Sequence, residues 1–179
     1  PDVRVVIARI QAHPSRAHLH QPLVDAIGLP TEVMVHASDP PDPWAGYRAC
    51  LSDLPDCSHV LVVQDDALPC RNFGPSVQQV AERYPDTPVC LFLGAHPAST
   101  ASQAQRAFAR KRRYVPLGAS NFVPLVACLW PKAKAQEFLE WARYSRTPLG
   151  ASEASYSVQA VAQLTVGWNV PQPIEDLPF

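Results

Sequence analysis

Nowhere in this sequence does an apolar run reach the ~18 residues that a membrane-spanning helix needs, and no signal-peptide pattern opens it. A protein of the cytoplasm is the expectation. Charge of one sign is lacking too: 15 Lys and Arg against 16 Asp and Glu leave a formal net charge of −1. No whole-molecule field therefore draws the chain to nucleic acid or to anionic lipid. Glycine-rich phosphate cradles are missing, since neither GxGxxG nor GxxxxGK[ST] occurs. That removes dinucleotide-dependent dehydrogenases and P-loop nucleotide hydrolases. GxSxG and HExxH are missing as well, so an α/β-hydrolase nucleophile elbow and the common zinc-protease helix have no support. The five cysteines, Cys50, Cys57, Cys70, Cys90 and Cys128, form no CxxC pair. A zinc cage or thioredoxin-type centre is not indicated, and buried reduced thiols are expected.

What is present suits one globular α/β domain spanning residues 1–179. Hydrophobic residues make up 47% and charged ones 17%, enough apolar material for a real core in 179 residues. The 20 prolines, roughly double the usual share, fall singly or in pairs between periodic segments and read as helix starts and loop stiffeners. Strand-like and helix-like patterns alternate. Val3 to Ala8 forms a first strand, and a helical stretch follows from about Arg16 to Ile27; Pro22 lies inside it, so the helix is expected to begin there, with Pro in its first turn and Gly28 as its stop. Glu32 to His36 is a second strand. Trp44, Tyr47, Leu51 and Leu54 then share a helix face. His59 to Gln64 is the third strand, Pro75 to Tyr84 a helix, Val89 to Leu93 the fourth strand and Val123 to Leu129 the fifth. A helix begins near Pro131, another is capped by Ser152, and Trp168 to Pro171 resembles an edge strand. Such alternation predicts a mostly parallel central sheet with helices on both faces.

The most informative stretch is His59-Val60-Leu61-Val62-Val63-Gln64-Asp65-Asp66-Ala67-Leu68-Pro69. A continuous apolar run suits a strand buried on both faces, and in open α/β sheets ligands bind beyond the carboxyl ends of such strands. Two carboxylates placed there repel each other unless something positive sits beside them. A divalent cation that also holds phosphate oxygens meets that need; a solvated turn is the plain alternative. His13, His18 and His20 read as a solvated cluster rather than a metal site. The run Arg110-Lys111-Arg112-Arg113, followed by Tyr114, suggests either a nucleic-acid contact or a basic flap over a diphosphate, and the net charge favours the flap.

Several segments in a fixed order carry a resemblance: Val5-Val6-Ile7-Ala8-Arg9, then Arg16, Trp44 leading a helix, Leu61-Val62-Val63-Gln64-Asp65-Asp66 with Leu68-Pro69-Cys70, Val126-Ala127-Cys128-Leu129-Trp130-Pro131, and the region from Ser152 to Leu177. Together they resemble the small GT-A-type nucleotide-sugar glycosyltransferases of bacteria and phages, over nearly the whole chain. The resemblance implies a single GT-A-like (Rossmann-like) domain. It further implies transfer of a sugar from a nucleotide-sugar donor, most plausibly a UDP-sugar, to a hydroxyl on an acceptor protein or glycan. The compartment implied is the bacterial cytoplasm, or the host's for a phage protein.

Roles follow position by position. Gln64, Asp65 and Asp66 occupy the place of the family's DxD motif, so Asp66 would bind Mn²⁺ or Mg²⁺, with Asp65 serving where Gln64 replaces the first Asp. Such an ion offsets charge on the departing nucleoside diphosphate. Ala8, Arg9 and Asp39 would meet the nucleotide. Arg16 would neutralise phosphate, or else be a solvated residue at a helix start. Glu153 falls where the family carries the carboxylate that deprotonates the acceptor, which leans toward inversion; a carboxylate answering a helix dipole explains it equally. Asp176 stands where related chains have a metal-binding His. The departures at Gln64 and Asp176 keep open a second possibility, a degenerate domain that binds a nucleotide-sugar or a protein partner without turnover.

Overall fold

The computed structural model describes residues 5–40, 42–91, 102, 106, 107, 109–112, 114 and 126–144. In chain order the elements are β1 (Val6–Ala12), a 3-10 turn (Pro14–Arg16), α1 (Ala17–Ile27), β2 (Thr31–Val35), α2 (Pro43–Leu51), β3 (His59–Gln64), α3 (Phe73–Arg83), β4 (Val89–Cys90), β5 (Ala127–Pro131) and α4 (Lys132–Tyr144). Five strands form one sheet in the order β2-β1-β3-β5-β4.

β1 pairs in parallel with both β2 and β3, whereas β5 is antiparallel to both β3 and β4. Four strands therefore point one way and β5 alone is reversed. The sheet is therefore mixed, with two parallel and two antiparallel pairings, and only partly the mostly parallel sheet expected. An apolar run such as Ala127–Trp130 reads the same in either direction, so its sequence carries no sign of the reversal.

Helices cover both faces, as the alternating pattern predicts. Alternation along each buried strand sends successive side chains to opposite faces. Val6, Ala8, Ile10, Leu61, Val63 and Leu129 pack beneath α1 and α3, against Leu23, Ile27, Val77, Val80 and Ala81. Ile7, Val60, Val62, Cys128 and Trp130 pack on the other side beneath Tyr47, Cys50 and Leu51 of α2 and Ala135 and Phe138 of α4. Trp130 Nε1 donates to the Tyr47 hydroxyl at 2.8 Å, so the largest buried ring keeps its one donor satisfied. Burial pushes the Tyr47 hydroxyl well above its ordinary range, which keeps it a neutral acceptor.

One charged side chain lies within this core. Arg9 is 5% exposed, and its guanidinium donates to the carbonyls of Cys50, Ser52 and Asp53 and pairs with Glu32 at 2.8 Å. A cation over the last carbonyls of a helix meets both the dipole and their unsatisfied lone pairs. Arg9 thus pins the carboxyl end of α2 to the sheet.

Differences from the expected boundaries have local causes. α1 starts at Ala17, so Pro22 lies inside it rather than in its first turn, at the loss of one backbone bond. The helix does stop at Gly28, which adopts φ 64°. The fourth strand is described only at Val89–Cys90, and the fifth runs from Ala127 to Pro131. The expected helix from Ser152 and the strand near Trp168 fall outside the described residues.

Gly74, in the first turn of α3, approaches the end of α1 so closely that an added Cβ would meet Ile27 O at 2.7 Å and Gly28 O at 2.8 Å. Neither backbone oxygen yields without moving the helix end. Gly74→Ala is expected to lower the unfolding free energy in urea by about 1–3 kcal/mol through overpacking. Gly28→Ala has open space but the wrong φ, and is expected to cost about 1 kcal/mol. Equal stability of Gly74→Ala and the parent would show that the two helices are not held in this contact.

Candidate functional site

The chain leaves β1 toward β2 on one side and leaves β3 toward β4 on the other. A point where connections diverge between adjacent parallel strands is where α/β sheets bind ligands, outside the carboxyl ends. Here that point lies between Ala12-His13 and Gln64-Asp65-Asp66.

Asp65 follows β3 directly, and its N–H donates to Gln11 O at 3.1 Å. Its carboxylate is turned inward and only 2% exposed. Oδ2 accepts from the His13 N–H at 2.7 Å and Oδ1 lies 3.0 Å from Arg16 Nε. Asp66 points outward, about half exposed, with Oδ2 2.7 Å from Arg16 Nη1. One guanidinium therefore forks across two consecutive carboxylates. Fork geometry of this kind is particular to Arg, which presents planar donors on adjacent nitrogens.

Local sequence explains how Arg16 arrives there. β1 ends at Ala12, and Pro14 opens the 3-10 turn with His13 as its cap, its Nδ1 accepting from the Ser15 N–H. That turn brings Arg16 back over the strand ends. His20, four residues later in α1, lies beneath the same carboxylate, Nε2 3.9 Å from Asp65 Oδ2. Residues four apart share a helix side, so the placement of His20 relative to Arg16 was available from spacing. Its neighbour His18 is exposed.

The structure brings Asp65, Asp66 and Arg16 together and sets Gln64 beside them, opposite Gln11. Asp39 lies exposed on the loop after β2, beyond that strand's carboxyl end. Ala8 and Arg9 are not at this edge. β1 continues four residues past Ala8, which is fully buried and paired with both Leu61 and Thr31, and the Arg9 side chain is committed to α2. The charge at Arg9 looks like a strand end in sequence, yet it is a buried charge within the strand. Ala12 and His13 hold the position expected of Ala8 and Arg9. Glu153 and Asp176 fall outside the described residues, and so does Arg113; Arg110, Lys111 and Arg112 are exposed.

A cation at this pair would need oxygens that the protein has already engaged. Both oxygens of Asp65 and one of Asp66 are partnered. Among the described residues no group of three or more His, Cys, Asp or Glu side chains is placed to hold a metal ion. Among the described residues, Asp65 and Asp66 do not by themselves fit Mn²⁺ or Mg²⁺, because Arg16 stands where the positive charge would go. No family model matches this chain, and no curated protein matches it.

Removing Arg16 leaves Asp65 buried with a single strong donor. Arg16→Gln is expected to lower stability by about 2 kcal/mol, since a buried acceptor loses its charged partner at a partly exposed site. Asp66→Ala should change it by no more than ~0.5 kcal/mol, being a surface carboxylate. Urea unfolding of both variants checks the ordering, and a larger loss in Asp66→Ala would contradict it.

Proposed function

We propose that this domain is a GT-A-type glycosyltransferase. It would bind a nucleotide-sugar, with a UDP-sugar as the donor tested, at the carboxyl edge of the sheet and transfer the sugar to a hydroxyl of a protein or glycan. The observation that carries this reading is the Asp65–Arg16–Asp66 constellation at the switch point between β1 and β3. The resemblance assigns that same position to the donor's diphosphate.

Arg16 is 42% exposed and uses Nε and Nη1 on the carboxylates. A guanidinium has five N–H groups, so a phosphate oxygen would share Arg16 as its bond to half-exposed Asp66 loosens, while the bond to buried Asp65 is kept. Asp65 then acts as a positioning residue, fixing Arg16 from beneath. Glu153 is the proposed base for the acceptor hydroxyl, on the resemblance alone, and Asp176 the next candidate. Asp39 would approach the nucleotide from the β2 side. The resemblance also implies Mn²⁺ or Mg²⁺ held by Asp66, with Asp65 and with Asp176, which lies outside the described residues; since Asp65 and Asp66 are already held by Arg16, none of this chemistry is assigned to that ion.

A second reading has an observation in its favour. Arg16 fills the place of the catalytic cation, which suits a domain that binds a nucleotide-sugar or a protein partner without turnover.

Calorimetric titration with UDP, repeated after chelation with EDTA, tests the donor site. Binding that survives EDTA is expected, and Arg16→Lys, which loses the fork but keeps the charge, should weaken it roughly tenfold. No UDP binding by the parent protein, with or without Mn²⁺, would sink the reading. Loss of binding on chelation would instead show that Arg16 gives way to an ion.

Sugar release and transfer from a UDP-sugar separate the two readings. Glu153→Gln is expected to cut transfer by about 10²–10⁴-fold while leaving UDP affinity unchanged, the size of a general-base contribution. Transfer within threefold of the parent would remove Glu153 from the mechanism, and absence of any turnover with UDP still bound would favour the degenerate domain.

A further inference from the structure

All five cysteines are present as thiols, and two of them meet across the sheet. Cys90 of β4 is directly opposite Cys128 of β5 in an antiparallel pair. The neighbouring pair is hydrogen-bonded, with the Leu91 N–H donating to Ala127 O at 2.9 Å. Hydrogen-bonded and non-hydrogen-bonded pairs alternate along an antiparallel ladder, so Cys90 and Cys128 form a non-hydrogen-bonded pair. The other side of β5 agrees. The Gln64 N–H donates to Val126 O, which directs the backbone groups of Val126 and Cys128 toward β3 and away from β4. Non-hydrogen-bonded partners bring their Cα atoms to about 4.5 Å, within the span a disulfide bridges. Both side chains also lie on the same face, Cys128 inside the cluster with Tyr47 and Trp130 and Cys90 packed against it.

We propose that Cys90 and Cys128 are a reversible cross-strand dithiol, oxidised by a small-molecule disulfide such as oxidised glutathione. Cys90 is partly exposed and Cys128 fully buried, so attack begins at Cys90. Its thiolate displaces one glutathione thiolate, forming a mixed disulfide. Cys128 then gives up its proton and attacks the Cys90 sulfur, expelling the second glutathione thiolate. The two protein thiols lose two electrons and two protons, and both appear in two molecules of reduced glutathione. Burial pushes the Cys128 thiol well above its usual range, which makes the second step slow. The bond would staple β4 to the interior of the sheet. The remaining cysteines have no such relation: Cys70 is exposed, while burial raises Cys50 to about 12 and raises Cys57.

Tryptic fragments isolate the pair, because Cys90 is the sole cysteine of 84–106, Cys128 of 114–132, and the other three share 49–71. The folded protein is incubated with oxidised glutathione until Cys70 is fully modified, then digested without reductant. Fragments 84–106 and 114–132 are expected joined, with dithiothreitol separating them. In Cys128→Ala, which keeps the core apolar, 84–106 should instead carry glutathione. Two fragments still separate in the parent at that point, or joined mainly to 49–71, would overturn the proposal.

Discussion

A carboxylate with almost no exposure at the end of a strand sets the terms for everything around it. Asp65 loses its hydration on folding, and only donors can replace it. Its Oδ2 takes the His13 N–H and its Oδ1 takes Arg16. Those two bonds fix the path of the chain from β1 into α1, since both donors lie in that connection. They also tie the carboxyl ends of β1 and β3 together beyond the last ladder bond. Arg9 imposes the reciprocal constraint on the opposite face, where a buried guanidinium needs acceptors and finds them in the last carbonyls of α2. Two buried charges of opposite sign thus locate two helices that apolar packing alone would leave free to slide.

Inside the sheet a polar group needs a protein partner, as Arg9 finds in the carbonyls at the end of α2. The sheet's faces are sealed by α1 and α3 on one side and α2 and α4 on the other. Within the sealed part, polar atoms pair with each other, as Trp130 does with Tyr47. Among the described residues, the carboxyl ends of β1, β2 and β3 bring polar side chains to solvent, and Asp66, Arg16 and Asp39 are all found there. The proposed ligand site lies at that edge, where polarity is tolerated, before any question of which ligand.

Much of this was legible in sequence because it depends on apolar periodicity. The run from His59 to Gln64 suits a doubly buried strand, and the two carboxylates after it then fall at its end, where the structure has them. Gly28 marked a helix stop that the backbone confirms with φ 64°. Three things were hidden. The reversal of β5 is a property of pairing, and no side chain in Ala127–Pro131 encodes it. The length of β1 was misjudged because Arg9 interrupts an apolar pattern, although a charge may lie within a strand when a distant helix end supplies its acceptors. The fork of Arg16 over Asp65 and Asp66 spans some fifty positions in the chain, and neither charge sign nor spacing distinguishes a counter-ion held in place from a solvated one.

That fork changes the electrostatic question posed by two adjacent carboxylates. Left alone they would repel a diphosphate; with Arg16 bridging them the group carries one net negative charge instead of two. At the effective dielectric of a protein surface, one unit charge at 4 Å is worth about 4 kcal/mol at most, and solvent screening at half-exposed Asp66 lowers what the guanidinium removes. The guanidinium acts without the dehydration that a divalent ion undergoes on binding. Yet a guanidinium already shared between two carboxylates attracts a third anion less than a bare cation does. Arg16 can therefore lower the repulsion toward a phosphate fully only by loosening one of its present partners. Asp66, which is half exposed, is the partner whose loss costs less, whereas the bond to buried Asp65 is retained. In the proposed donor site the two carboxylates would do different work: Asp65 anchors the guanidinium, and Asp66 would be the group that an incoming anion displaces or shares.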